Sequence, residues 1–332
     1  MMNKSTNMLF MSMLIMSIPI TLSANSWFMV WMGMELNIMS FMPMIMEQKN
    51  TLSKEAALTY FLIQTIASML LIMSIIMMTQ EIMNKNMGEL LLISSLMIKS
   101  GMSPFHFWMP KMMEGLNWNK CLILMTWQKI IPLTMMSSII KINFIILMAI
   151  ILSITIGAIG GLNQTSLRKL MAYSSISNNG WMLMAMLMSE NIWIMYFLFY
   201  SIMSIIMTTS MNMYKNYHMN QILSMNESIL KKFFILINML SISGLPPMLG
   251  FMPKWLVIQT SMNLNQMTLM MIMVIMTLIT VYYYLRIMFT TMMLTNTELK
   301  WNNKLNNMNN YVTMMMTTIT IMGLMLITMI MY

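Results

Sequence analysis

Charge is scarce in this sequence. Asp, Glu, Lys and Arg make up only 8% of its 332 residues, against about a quarter in soluble domains. An ordinary water-soluble domain is therefore excluded. Acid is the scarcer sign, with nine acidic residues against 18 basic ones and a net charge of +9. The basic residues lie mostly in short loops between apolar runs, so the excess reads as membrane topology and not as nucleic-acid binding. Cysteine is reduced to Cys121, which excludes an internal disulfide. With two histidines, His106 and His218, and no cysteine cluster, no metal or haem site is expected. No glycine-rich loop follows a strand, so no nucleotide site is expected either. Residues 8–24, the first apolar run, show no small-residue cleavage site leading into a soluble domain, and no cleavable signal peptide is expected.

What is abundant is apolar sequence, 58% of the chain. Runs of about twenty apolar residues follow one another almost without pause, the signature of an all-α polytopic membrane protein. About 11 transmembrane helices are expected, at roughly 8–24, 27–46, 56–80, 88–109, 120–140, 144–161, 168–188, 192–213, 230–260, 265–292 and 310–331. The longest polar stretches, 47–54, 212–227 and 296–310, are too short to separate soluble domains. Residues 1–332 are therefore expected to form a single membrane domain ending in a C-terminal helix at 310–331. Positive charge supports the count. The N-terminus and the even-numbered loops hold Lys4, Lys49, Lys54, Lys111, Lys120, Arg168, Lys169, Lys215, Lys231, Lys232, Lys300 and Lys304, whereas the odd-numbered loops hold only Lys85 and Lys141. This bias puts the N-terminus on the positive-inside face, which in a mitochondrion is the matrix. An odd helix count puts the C-terminus on the opposite face.

Methionine accounts for 60 residues. Asn, Ile, Ser and Thr are also plentiful, while Ala, Val, Gly and Arg are scarce, as AT-rich codons would produce. A genome that reads AUA as methionine, as animal mitochondrial genomes do, adds methionine at isoleucine positions. Mitochondrial encoding is therefore expected. Thioethers also suit Cu(I), but here methionine is spread along every span instead of gathered in motifs. It reads as flexible apolar filling.

Two segments 143 residues apart repeat each other. Ser100-Gly101-Met102-Ser103-Pro104-Phe105-His106-Phe107-Trp108-Met109-Pro110-Lys111 and Ser243-Gly244-Leu245-Pro246-Pro247-Met248-Leu249-Gly250-Phe251-Met252-Pro253-Lys254 agree at six of twelve positions. Glycine and proline inside an apolar span break the backbone ladder, and lipid cannot repair it. The two breaks fall in the fourth and ninth spans, which enter the membrane from opposite faces. The expectation is an inverted-topology repeat with two broken helices, its halves at roughly 27–140 and 168–292, and a transport site near the midplane.

Most charged residues sit at span ends or in loops. Lys99, Lys129, Lys254, Arg286 and Glu35 do not. Each is costly at membrane depth and needs a partner or a watery cavity. Glu35 is the expected partner of Lys99. An acid beside a buried lysine favours its charged form, so changing their separation would make the pair a coupled proton switch. A static pair locking two helices is the alternative. Lys129 lies mid-span, three residues before Pro132 and with no acid at helical spacing, as a water-bound relay would; snorkelling to the interface is the plainer alternative. Lys254, just past the second break, is expected to meet the unfavourable end of a helix dipole. Arg286 does not deprotonate and reads as an anchor. His106, in the first break, could exchange protons or satisfy loosened carbonyls, and both readings stay open. His218 lies in a polar loop.

Several of these segments together resemble a known family. They are residues 100–108, Thr126-Trp127-Gln128-Lys129, residues 160–176 (Gly-Gly-Leu-Asn-Gln-Thr-Ser-Leu-Arg-Lys-Leu-Met-Ala-Tyr-Ser-Ser-Ile), residues 244–255 and Glu55-Ala56-Ala57-Leu58-Thr59-Tyr60-Phe61-Leu62. The family is subunit 2 of mitochondrial NADH:ubiquinone oxidoreductase, respiratory complex I. The resemblance covers essentially the whole chain, and the methionine bias resembles that of an insect or other arthropod. It implies an antiporter-like proton-translocating module in the mitochondrial inner membrane. In that family the coupling glutamate would fall on Glu35, its paired lysine on Lys99, the central lysine on Lys129 and the distal lysine on Lys254. It also implies no flavin, iron–sulfur cluster, quinone headgroup site or other cofactor on this chain. Its partners would be other membrane-arm subunits, including antiporter-like neighbours, and membrane lipid. One departure stands out: where the family often has histidine after Tyr-Ser-Ser-Ile-x, this chain has Asn178. Two rival functions remain, a standalone cation/proton antiporter of the same fold and a purely structural arm subunit.

Overall fold

The computed structural model describes residues 4–47, 50–79, 85–225, 229–262, 266–294, 314–315 and 317–323. Among them there is no strand; a single isolated bridge joins Ser166 and His218. The chain divides into two compact units, Met1–Ile142 and Asn143–Tyr332. The first holds α1 (Lys4–Leu22), α2 (Trp27–Ile45), α3 (Thr51–Thr79), α4 (Lys85–Ser100), α5 (Trp108–Gly115), α6 (Trp118–Met125) and α7 (Trp127–Ser137). The second holds α8 (Phe144–Gly161), α9 (Leu167–Met188), α10 (Glu190–Tyr214), α11 (Met219–Leu223), α12 (Ile229–Ser243), α13 (Phe251–Met262) and α14 (Met267–Leu294). Residues 317–323 are also helical.

Six helices among the described residues are long and apolar enough to cross a membrane: α1, α2, α3, α8, α10 and α14. The sequence-based count of about eleven is not reproduced, for physical reasons that differ by segment. The expected span 88–109 is cut into α4 and the start of α5, 230–260 into α12 and α13, and 120–140 into α6 and α7. The last of these interruptions, at Thr126, was not expected. Helix α9 has 22 residues but carries Arg168, Lys169 and a run of serine and asparagine. The expected eleventh span, 310–331, and its preceding loop lie mostly outside the described residues.

The surface is apolar where a soluble protein would be polar. On α3, for example, Leu58, Leu62, Ile66 and Met69 are all exposed at helical spacing. Only a hydrocarbon or protein environment tolerates such a stripe. Inside, small residues let backbones approach. A Cβ on Gly157 of α8 would lie 2.7 Å from the Ser177 backbone nitrogen of α9, so this pair packs at the distance that small residues permit between membrane helices.

Both breaks follow from glycine. Gly101 and Gly244 are the described glycines with positive φ, 70° and 85°. In the first break the Gly101 N–H bonds to Ile98 O at 3.2 Å and the Met102 N–H to Met97 O at 3.0 Å, the paired bonds of a Schellman C-cap. In the second the Gly244 N–H bonds to Ser241 O at 3.1 Å. Each helix therefore stops in mid-span at a left-handed glycine, with proline downstream.

Candidate functional site

A helix that ends inside a membrane leaves carbonyls without intrahelical donors. In the first unit, side chains supply them. The Trp108 indole N–H donates to Ile98 O at 3.1 Å, and the Gln64 amide donates to Lys99 O at 3.3 Å. The His106 ring Nδ1–H donates to Pro104 O at 3.2 Å. His106 is buried and stacked against Phe107, in the carbonyl-satisfying arrangement.

Next to this repaired end lies a small cavity of about 20 Å³, room for at least one water. Lys99 and Lys129 both line it, with Asn37, Tyr60, Gln64, Ser100 and Gln128 among the polar neighbours. Lys99 is 6% exposed and Lys129 2%. The amides are linked: the Tyr60 hydroxyl donates to Gln128 Oε1 at 3.1 Å, and Gln128 Nε2 donates to Asn37 Oδ1 at 2.9 Å. This chain joins α3, α7 and α2. Lys129 occupies the first turn of α7, just after the interruption at Thr126. Pro132, three residues on, has no N–H for the Gln128 carbonyl, so a further acceptor is released beside the cavity.

Glu35 does not make the expected contact with Lys99. Among the described residues no ion pair within 4.0 Å joins them. The Lys99 amine instead donates to Met34 Sδ at 3.4 Å. Glu35 is half-buried, and its Oε1 is buried with no hydrogen-bond partner. The carboxylate still lies close enough to act electrostatically on Lys99 and on the Tyr60 hydroxyl. The physical reason is local: consecutive residues of a helix point about 100° apart, so Lys99 lies against Met34 and not against its neighbour.

In the second unit Lys254 is 7% exposed and donates to Ser243 O at 2.6 Å. The expectation of an unfavourable helix N-terminus is corrected here. Lys254 belongs to the first turn of α13, but its long side chain reaches back across the break to the C-terminal carbonyl of α12. A cation is favoured at that end. The Leu249 N–H in the same break bonds to Thr320 O at 3.1 Å. A second cavity of about 20 Å³ lies alongside, lined by Asn178, Tyr196, Tyr200, Ile242, Gly250 and Pro253 with apolar neighbours. Asn178 is buried and accepts from the Tyr196 hydroxyl at 3.1 Å. The Arg286 guanidinium donates to Leu162 O at the end of α8, so it acts as an anchor. His218 is exposed and forms a capping box with Gln221.

Sequence reasoning missed some members. Asn37 and Gln64 are neutral and do not stand out against an apolar background, although polar residues at the α2, α3 and α7 core positions were the available signal. The pattern of charge in the sequence places Lys232 in a loop. It lies in α12, is 1% exposed, and donates to Leu223 O at 3.1 Å.

The family of NADH:quinone oxidoreductase/Mrp antiporter transmembrane proteins matches residues 24–280. The chain belongs to this family. The NADH-ubiquinone oxidoreductase chain 2 of Anopheles gambiae is 46% identical over 99% of this chain and 99% of its own length. The protein of the same name from Aedes aegypti is 50% identical, again over 99% of both chains. A solved structure of respiratory complex I from Thermus thermophilus with bound aureothin contains a chain of the same fold. It has a TM-score of 0.82 at 18% identity, over 98% of this chain and 79% of that one.

Proposed function

We propose that this chain is the antiporter-like, proton-translocating chain 2 of a mitochondrial NADH:ubiquinone oxidoreductase. It couples electron transfer carried out by other subunits to proton movement across the inner membrane. The carrying observation is a water-sized cavity that brings two buried lysines, Lys99 and Lys129, together with several amides beside a broken helix. Buried lysines at membrane depth mark ion or proton pathways by default, and full-length relatives bearing the chain 2 name support the assignment.

In this proposal the chain forms one membrane domain of about eleven spans built as an inverted repeat, with its N-terminus in the matrix and its C-terminus in the intermembrane space. It carries no redox group of its own and works beside other membrane-arm subunits and lipid. Movement of Glu35 relative to Lys99 changes the charge on Lys129, and Lys254 releases a proton to the positive-outside face. For Lys254 a structural reading has its own support, because the bond to Ser243 O holds the second break closed.

The test is Lys129→Met in the assembled complex. Protons pumped per NADH oxidised should fall, with assembly preserved on a native gel stained for NADH oxidation. Unchanged stoichiometry would refute the assignment of Lys129. Peptide identification from the same band checks membership of the complex. Lys254→Met should lower the pumping ratio if Lys254 carries protons, and only thermal stability if it holds the break.

A further inference from the structure

Lys99 stands between two adjacent acceptors on α2 and uses the weaker one. Its amine lies 3.4 Å from Met34 Sδ, and a thioether is a poor hydrogen-bond acceptor. The next residue, Glu35, holds a buried carboxylate oxygen that nothing bonds. Met34 is 3% exposed and Lys99 is 6% exposed, so neither group is placed there by solvent. Asn37 from α2, Tyr60 and Gln64 from α3, and Gln128 and Lys129 from α7 line the same cavity, and the Glu35 carboxylate on α2 acts on Lys99 electrostatically. A strong, unfilled acceptor beside a weak, filled one is the arrangement of a side chain with two seats. The two acceptors are on consecutive residues of α2.

From this geometry we infer that Met34 is a positioning residue that holds Lys99 in a resting seat, one helical step from Glu35, so that the Glu35–Lys99 contact forms only during turnover. The inference rests on the proposed proton-translocating function and adds to it a named resting acceptor. No proton is gained or lost in the swing itself: the amine exchanges a sulfur neighbour for a carboxylate oxygen. Without the resting seat Lys99 would settle on Glu35. Removing one weak hydrogen bond shifts such an equilibrium about fivefold.

Two substitutions separate this role from packing. Met34→Leu keeps volume and removes the acceptor, a swap that cores tolerate well. Met34→Gln keeps an acceptor of similar length and adds a polar group. Both are introduced into the assembled complex, and NADH-driven proton pumping is measured per complex, with abundance taken from a native gel. If Met34 is the resting seat, the leucine variant assembles normally and pumps more slowly, by up to about fivefold, while the glutamine variant pumps within twofold of the wild type. If Met34 only fills space, the order inverts, with leucine indistinguishable from wild type and glutamine impaired; that result overturns the inference. Should the glutamine variant fail to assemble, the leucine variant decides alone. Lys99→Met keeps the two levels apart. Loss of pumping there with an unaffected Met34→Leu rejects the resting seat and leaves the proposed function standing, whereas normal pumping in Lys99→Met rejects the proposed role of Lys99 itself.

Discussion

Replacing each break glycine by alanine distinguishes a lysine that is merely present from one that must be held in place. Gly101 and Gly244 have φ of 70° and 85°, and a non-glycine residue in that region costs about 1–2 kcal/mol. Both variants incur this strain. They differ in what the new methyl group meets. At Gly101 it would lie 3.2 Å from Met109 Sδ and 3.3 Å from Trp108 Cζ2, contacts that shifts of a few tenths of an ångström in the thioether and the indole relieve. At Gly244 it would lie 2.9 Å from Lys254 Nζ and 3.0 Å from Lys254 Cδ. The lysine must move, and its bond to the Ser243 carbonyl is lost. A hydrogen bond to a charged group contributes about 1.5–3 kcal/mol. Gly101→Ala should therefore cost about 1–2 kcal/mol and Gly244→Ala about 2.5–5 kcal/mol, read as a larger fall in the thermal midpoint of the intact complex. Protons pumped per NADH should fall in Gly244→Ala and stay near wild type in Gly101→Ala. Equal thermal losses would refute the displacement of Lys254. A stable pumping ratio in Gly244→Ala, despite a lowered midpoint, would refute the need for Lys254 at that carbonyl.

The other expected outcomes divide between the cavity and the periphery. Gln128→Leu leaves the Tyr60 hydroxyl and Asn37 Oδ1 without their partner, at about 1–3 kcal/mol for each buried group; thermal midpoint and pumping ratio should both drop, and an unchanged midpoint would contradict the amide chain. Glu47→Ala removes the partner of Lys120 and Asn117. That pair is partly exposed, so the loss should stay near 1 kcal/mol, shrink in high salt, and leave pumping intact. The Lys141–Glu89 pair is more exposed, and Lys141→Met should assemble and pump as wild type, as native-gel abundance and proton release would check.

How much of this could be read from the sequence depended on contrast. A serine, a glycine and a proline inside an apolar run are conspicuous, and both breaks fall where the repeated segments place them. Lys99, Lys129 and Lys254 were equally conspicuous as charges in hydrocarbon. Directions of reach were not legible. Lys254 follows the second break in sequence, yet its amine turns back to the carbonyl before it, because a four-carbon stem spans the gap. Met34 was invisible as an acceptor among 60 methionines, with a carboxylate one residue away as the more obvious choice. The interruption at Thr126 carries no glycine. Lys232 was hidden by its neighbour: Lys231 and Lys232 read as a charged end, but helical phase turns Lys232 into the core while Lys231 stays half-buried.

Lysines and helix ends coincide here for a reason that goes beyond topology. In a continuous membrane helix every interior carbonyl is already bonded, so an ammonium has nothing to meet except another side chain. A helix that stops releases carbonyls and presents the negative end of its dipole, which can hold a cation without a carboxylate. Among the described residues four cations donate to such ends: Lys120 on the end of α2, Lys232 on the end of α11, Lys254 on the end of α12 and Arg286 on the end of α8. Lys129 is placed differently. It lies in a first turn, beside the carbonyl that Pro132 releases and a cavity that it shares with Lys99, Asn37, Tyr60, Gln64 and Gln128. In the proposed function, a change at Lys99 would act on Lys129 through the cavity that both lysines line.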